Sequence, residues 1–123
     1  MARVLALTAD LLFASRLQAS LAGAGHDVRL VAGEGELRAA LAAEGAQALL
    51  VDLTDDELQG ELIVRSLAAE LAGVRTLAYY SHVEPAARDR ARQAGIELAV
   101  PRSRIAREAP ELLARLLAAG RSD

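Results

Sequence analysis

Asp52 closes an apolar run, Ala48-Leu49-Leu50-Val51, and Gly60 follows where the next helix should open. Such a run reads as a buried parallel strand, and open α/β sheets place their sites past the carboxyl ends of their strands. The other apolar runs end on further polar groups. Thr8, Ala9 and Asp10 follow the first, Ser81 and His82 the fourth, and Pro101 and Arg102 the fifth. Brought to one edge, they would surround a carboxylate with hydroxyls, an imidazole and a guanidinium. Other chemistries lack their parts: no nucleophile–base pair or metal cluster is visible in the sequence. With no Cys, a disulfide framework and thiol catalysis are excluded.

These positions need a scaffold that gathers strand ends. Strand-like runs are read at Val4–Leu7, Asp27–Val31, Ala48–Val51, Arg75–Tyr80 and Ile96–Val100. Helical periodicity predicts a helix from Leu11 to about Ala22, with Phe13, Leu17 and Leu21 on one face. A second covers Glu36–Ala43, with Leu37 and Leu41 inward, and a third runs from Gly60 to about Ala72, aligning Ile63, Leu67 and Leu71. Pro85, suited to a first helical position, opens a fourth that ends near Ala94. A last helix is predicted to begin near Pro110 and to bury Leu113, Leu116 and Leu117. Strands alternating with helices over short connections imply an α/β fold: a five-stranded parallel sheet with helices on both faces, flavodoxin-like (βα)5. Residues 1–123 are read as a single domain.

Composition agrees with that architecture. The chain of 123 residues is 53% hydrophobic but only 2% aromatic, so its core must be Leu, Val and Ala. A net charge of −3 excludes a generally basic nucleic-acid binder. The opening run, Arg3 to Leu7, is too short for a signal segment or a membrane span, so a cytoplasmic protein is expected. All 14 basic residues are arginine; with Asn also missing, this reflects base composition rather than function.

The strand-end constellation resembles the active site of the receiver domains of two-component response regulators, and the resemblance spans the whole chain. Leu49-Leu50-Val51-Asp52, then Gly60 and Glu61-Leu62-Ile63, is similar to that family's phosphoacceptor strand and following helix, with the same Asp-to-Gly interval. Ser81 falls at the phosphoryl-bonding Ser or Thr, and Arg102 at the lysine. The resemblance implies that Asp52 is the phosphoacceptor equivalent and that an acidic pair after strand one should hold Mg²⁺. Here Thr8-Ala9 replaces the pair, and Asp10 comes one residue late, so that its side chain should point elsewhere. With Asp52 alone, Mg²⁺ should bind poorly. Arginine keeps the charge of lysine but not its compact ammonium. Pro101 precedes Arg102, where the family has a proline after the lysine; His82 is bulky where a small residue is usual; and Ala99 occupies the aromatic switch position. These departures mark a degenerate receiver, or pseudo-receiver, expected to signal through protein contacts without enzymatic activity or a cofactor.

Each residue also has a plainer reading. Asp52 is then a static carboxylate, ion-paired with Arg102 or accepting backbone N–H bonds. Asp10 becomes the N-cap of the first helix, Ser81 the cap of a turn before Pro85, and His82 a surface loop residue, although a pH-sensitive contact with Asp52 is open to it. Tyr79 and Tyr80 should pack on opposite faces of strand four. Asp55, Asp56 and Glu57 read as a solvated loop before they read as substitute Mg²⁺ ligands. Arg88, Arg90, Arg92, Arg102, Arg104 and Arg107 crowd the last third of the chain. Arg88, Arg92, Arg104 and Arg107 in particular would arm the helix 4–strand 5–helix 5 face, through which receivers usually bind partners or dimerise, for a protein with an acidic surface or a second copy. Two alternatives stand beside the pseudo-receiver: an unconventional phosphoacceptor using Asp52, and a small-molecule binder. The last is weak, since Thr8-Ala9-Asp10 forms no phosphate cradle and Gly33-Glu34-Gly35 is too isolated to replace one. Neither nucleic acid nor membrane is an expected partner.

Overall fold

Short apolar runs that pair along their length become the strands: β1 Arg3–Leu7, β2 Asp27–Val31, β3 Ala48–Asp52, β4 Arg75–Tyr80 and β5 Leu98–Pro101. In the computed structural model, which describes residues 2–81 and 85–119, they form one parallel sheet in the order β2-β1-β3-β4-β5. Between and after them lie α1 Leu11–Gly23, α2 Glu34–Ala43, α3 Gly60–Ser66, α4 Pro85–Gln93 and α5 Arg102–Ala119. The flavodoxin-like fold read from the sequence is the fold observed. β3 sits at the centre and is buried at every position. That is why its sequence runs apolar without alternation until Asp52.

Two apolar layers flank the sheet. On one side Phe13, Leu17 and Leu21 of α1 and Ile105, Leu112 and Leu113 of α5 pack on Leu50, Leu77 and Tyr79. On the other, Leu37, Ile63, Ala87 and Ala91 from α2, α3 and α4 cover Leu5, Leu49, Val51 and Tyr80. Tyr79 and Tyr80 therefore face opposite layers, as strand alternation requires. Among the described residues, no helix is long and apolar enough to cross a membrane.

Four boundaries depart from the sequence reading by two residues or more, the first being α2, which begins at Glu34 rather than Glu36. α3 ends at Ser66 rather than near Ala72, because the backbone bonds beyond it mix i−4 spacing (Leu71 to Leu67) with i−3 spacing (Ala68 to Arg65). Leu67 and Leu71 remain buried all the same. β5 begins at Leu98 rather than Ile96, since Glu97 is tied to β4 through side chains: its N–H donates to Thr76 Oγ1, and its carboxylate accepts from Arg75 Nε at 2.8 Å and Nη2 at 2.6 Å. α5 starts at Arg102, well before the predicted start near Pro110. It is two helical pieces joined at Glu108 (φ −126°, ψ 22°), and Pro110 lies in the first turn of the second piece, where its missing N–H is tolerated. The first piece buries Ile105 alone before the kink, so it carries no apolar periodicity to reveal it.

Candidate functional site

Alternation along β3 turns Asp52 towards the α1/α5 side of the sheet, at its carboxyl edge. The side chain is 0% exposed. An unpaired carboxylate at such depth would be costly, and both of its oxygens are engaged. Oδ1 accepts the Thr54 N–H at 2.7 Å and the Thr54 hydroxyl at 2.5 Å, while Oδ2 accepts the Thr8 hydroxyl at 3.2 Å. Among the described residues no buried side-chain N or O atom lacks a hydrogen-bond partner. Of the two static arrangements open to Asp52, the backbone N–H contact is the one realised.

The predicted ion pair between Arg102 and Asp52 does not form. Arg102 Nη2 instead donates to Asp10 Oδ2 at 3.3 Å, and the guanidinium lies 4.3 Å above the Phe13 ring centroid. The reason lies in α1: Asp10 is its N-cap, with Oδ1 accepting the Phe13 N–H at 3.1 Å, so a carboxylate and a ring stand together in the path of Arg102. Asp10 thus points away from Asp52, as its late position implied. Phe13 in turn meets Tyr79 at 5.2 Å between ring centroids. Tyr79 pairs in register with Asp52, and its hydroxyl is held well above the ordinary phenol range, by burial first and by the Asp52 charge second.

Ser81 lies at the edge beside Phe13, Arg16, Arg102 and Ser103, lining a shallow groove. His82 falls outside the described residues, as does most of the turn expected between Ser81 and Pro85. Ala9 is exposed on the rim and brings no polar side chain. In the loop after β3, Asp55 Oδ1 accepts the Glu57 N–H at 2.8 Å and the Leu58 N–H at 3.3 Å, so this carboxylate closes its own turn. The donor set does not suit Mg²⁺, which needs carboxylates free to face one point. Thr8 fills the inner position, Asp10 is committed to Phe13 and Arg102, and the described residues contain no group of three or more Asp, Glu or His placed to share a metal.

Thr54 was not singled out by the sequence reading. Its signal was local: a hydroxyl residue two positions after an aspartate is spaced to return its N–H to that carboxylate. Gly60 has an equally local cause. A Cβ there would stand 2.8 Å from Val51 Cγ1 and 2.9 Å from Asp52 O, so α3 can begin against the strand end only with glycine.

The arginines divide into two groups. Arg90 is paired with Glu61 at 3.0 Å, and Arg104 and Arg107 approach Glu108 at 3.6 and 3.9 Å. Arg88 and Arg92 are exposed on α4, with no ion-pair partner among the described residues, beside the half-buried Leu98 and Ala99 of β5. α4 and α5 flank this edge strand from opposite faces of the sheet.

The arrangement of five parallel strands and five helices recurs among solved structures. The fold is that of receiver domains. A CheY-like response regulator receiver domain protein from Methanospirillum hungatei JF-1 superposes with a TM-score of 0.83 at 17% identity, over 96% of this chain and 94% of that one. The receiver domain of Francisella response regulator 1452 gives 0.83 at 12% identity, over 98% and 100% of the two chains. A response regulator protein from Burkholderia pseudomallei, solved with a phosphorylated aspartic acid, calcium ion and citrate, gives 0.79 at 20% identity, over 95% of this chain and 66% of that one. No family model and no curated protein matches the sequence. The receiver likeness is therefore one of three-dimensional structure.

Proposed function

We propose that this receiver-fold chain is a two-component signalling domain of pseudo-receiver type, cytoplasmic and non-enzymatic, which acts by protein–protein contact. The observation that carries the reading is the state of Asp52: fully buried, with Thr8 and Thr54 occupying both oxygens. An acceptor must present a free oxygen to a phosphodonor, and a metal must neutralise the charge that develops. Neither condition suits this pocket. What the fold offers instead is a rigid sheet edge with the exposed cations Arg88 and Arg92 and the partly covered residues Leu98 and Ala99. A protein with an acidic surface, or a second copy of the chain, fits that helix 4–strand 5–helix 5 face.

The test is an amide chemical-shift titration with Mg²⁺, then beryllofluoride, on the wild type and on Asp52→Asn. The expected result is no Asp52-dependent shift at millimolar Mg²⁺. Asp52-dependent shifts around residues 8–10, 52–55, 81 and 102 would instead establish Asp52 as an unconventional phosphoacceptor, with Arg102 released from Asp10 to serve it.

A further inference from the structure

Thr8 is 1% exposed, and its single hydroxyl hydrogen faces two acceptors at the same distance. Asp52 Oδ2 lies 3.2 Å from Oγ1, and the Asp10 carbonyl oxygen also lies 3.2 Å away. The same Oγ1 accepts the Asp10 N–H at 3.0 Å. One O–H serves only one acceptor well at a time, and a hydroxyl rotates to suit its surroundings. A carboxylate is the stronger acceptor, since charge-assisted hydrogen bonds are about twice as strong as neutral ones. Asp10 is the junction to the rest of the molecule: its Oδ1 caps α1 at the Phe13 N–H, and its Oδ2 holds Arg102 at the head of α5.

We propose that the Thr8 hydroxyl is a two-position relay, which reports the charge of Asp52 to Asp10 and, through Asp10, to Arg102 at the start of α5. While the carboxylate is charged, the hydroxyl donates to Asp52. When that charge is removed, the hydroxyl turns to the Asp10 carbonyl. Asp10 is then bound to Thr8 through both its N–H and its C=O, which changes the seat of the carboxylate that grips Arg102. Thr8 is a positioning residue in this scheme, and the two-state element is a hydroxyl rotor rather than a moving loop. The inference deepens the pseudo-receiver reading and rests on it for the use of the signal. The coupling itself requires no metal, phosphodonor or partner, so it can hold or fail independently of that reading.

The experiment compares the effect of Asp52→Asn in three backgrounds: wild type, Thr8→Ser and Thr8→Val. Its readouts are the Arg102 side-chain Nε–H and the amides of residues 10, 13 and 102–104. Asp52→Asn is expected to shift these signals in the wild type and in Thr8→Ser, which keeps the hydroxyl. In Thr8→Val the shifts should shrink several-fold. Equal shifts in Thr8→Val, or their loss in both variants, would overturn the relay. A second measurement needs no Thr8 variant. The deuterium isotope shift from the Thr8 hydroxyl should appear on the Asp52 carboxyl carbon in the wild type and move to the Asp10 carbonyl carbon in Asp52→Asn; failure to move overturns the proposal.

Discussion

At the scale of single residues, Tyr79 reports on Asp52 with the least disturbance. Burial raises its pKa most, and the Asp52 charge adds to that. A folded-state pKa above the unfolded value means that the fold favours the neutral phenol. This contribution to stability is complete below the unfolded value and is lost as pH rises from about 10 towards the folded pKa, by up to about 1.4 kcal/mol per pH unit. With Tyr80→Phe leaving Tyr79 as the sole tyrosine, phenolate absorbance should be missing about one unit above the ordinary phenol pKa of about 10. Adding Asp52→Asn should bring the titration to lower pH. A Tyr79 that ionises at the ordinary value in the folded protein would contradict this account of the buried carboxylate.

At the scale of elements, the junction of β3 and α3 is the tightest joint near the site. Gly60 starts α3 against the backbone of Asp52, and Gln59 before it adopts a left-handed conformation (φ 53°, ψ 48°) to make the turn. A β-carbon at position 60 would force the strand end and the helix apart. Gly60→Ala is expected to cost about 1–3 kcal/mol, as overpacking of a close contact does. Urea denaturation measures the loss, and an alanine variant as stable as the wild type would show that the close approach relaxes freely. The interval between Asp52 and Gly60 was visible in the sequence, but its cause was not. Only the packed helix places Val51 Cγ1 and Asp52 O where a side chain would stand. α5 teaches the converse: the sequence marks Pro110 as a helix start, whereas in the structure it lies where the helix restarts after a kink at Glu108.

At the scale of the whole molecule, the sheet leaves β5 as an edge strand bonded only to β4. Exposed strand edges invite pairing, and cations near them give a partner's charge something to answer. Arg88 and Arg92 are the cations of that edge not engaged by other described residues, whereas Arg90, Arg104 and Arg107 are partly answered by Glu61 and Glu108. Reversing Arg88 and Arg92 to Glu is therefore expected to weaken self-association or partner capture. Sedimentation velocity at low and moderate salt reads the first, and pull-down of a labelled partner the second. Unchanged behaviour in both would move the docking face elsewhere.

The sequence by itself determined the order of strands and helices, the edge at which polar residues gather, and the place of Asp52 within it. These follow from apolar runs, periodicity and helix stops, all of which are local. Asp10 as a helix cap and the division of Tyr79 from Tyr80 were legible for the same reason. Tertiary structure alone decided who touches whom at that edge. Thr8 and Asp52 are 44 positions apart, and Arg102 and Asp10 are 92 apart. Arg102 had two carboxylates within the reach that sequence reasoning allows. The choice went to Asp10 because Phe13, packed from α1, supplies a surface for the guanidinium, while Thr54 and Thr8 had already satisfied Asp52. Pairing among several polar groups at one edge is a competition, and its outcome depends on which neighbours packing brings closest.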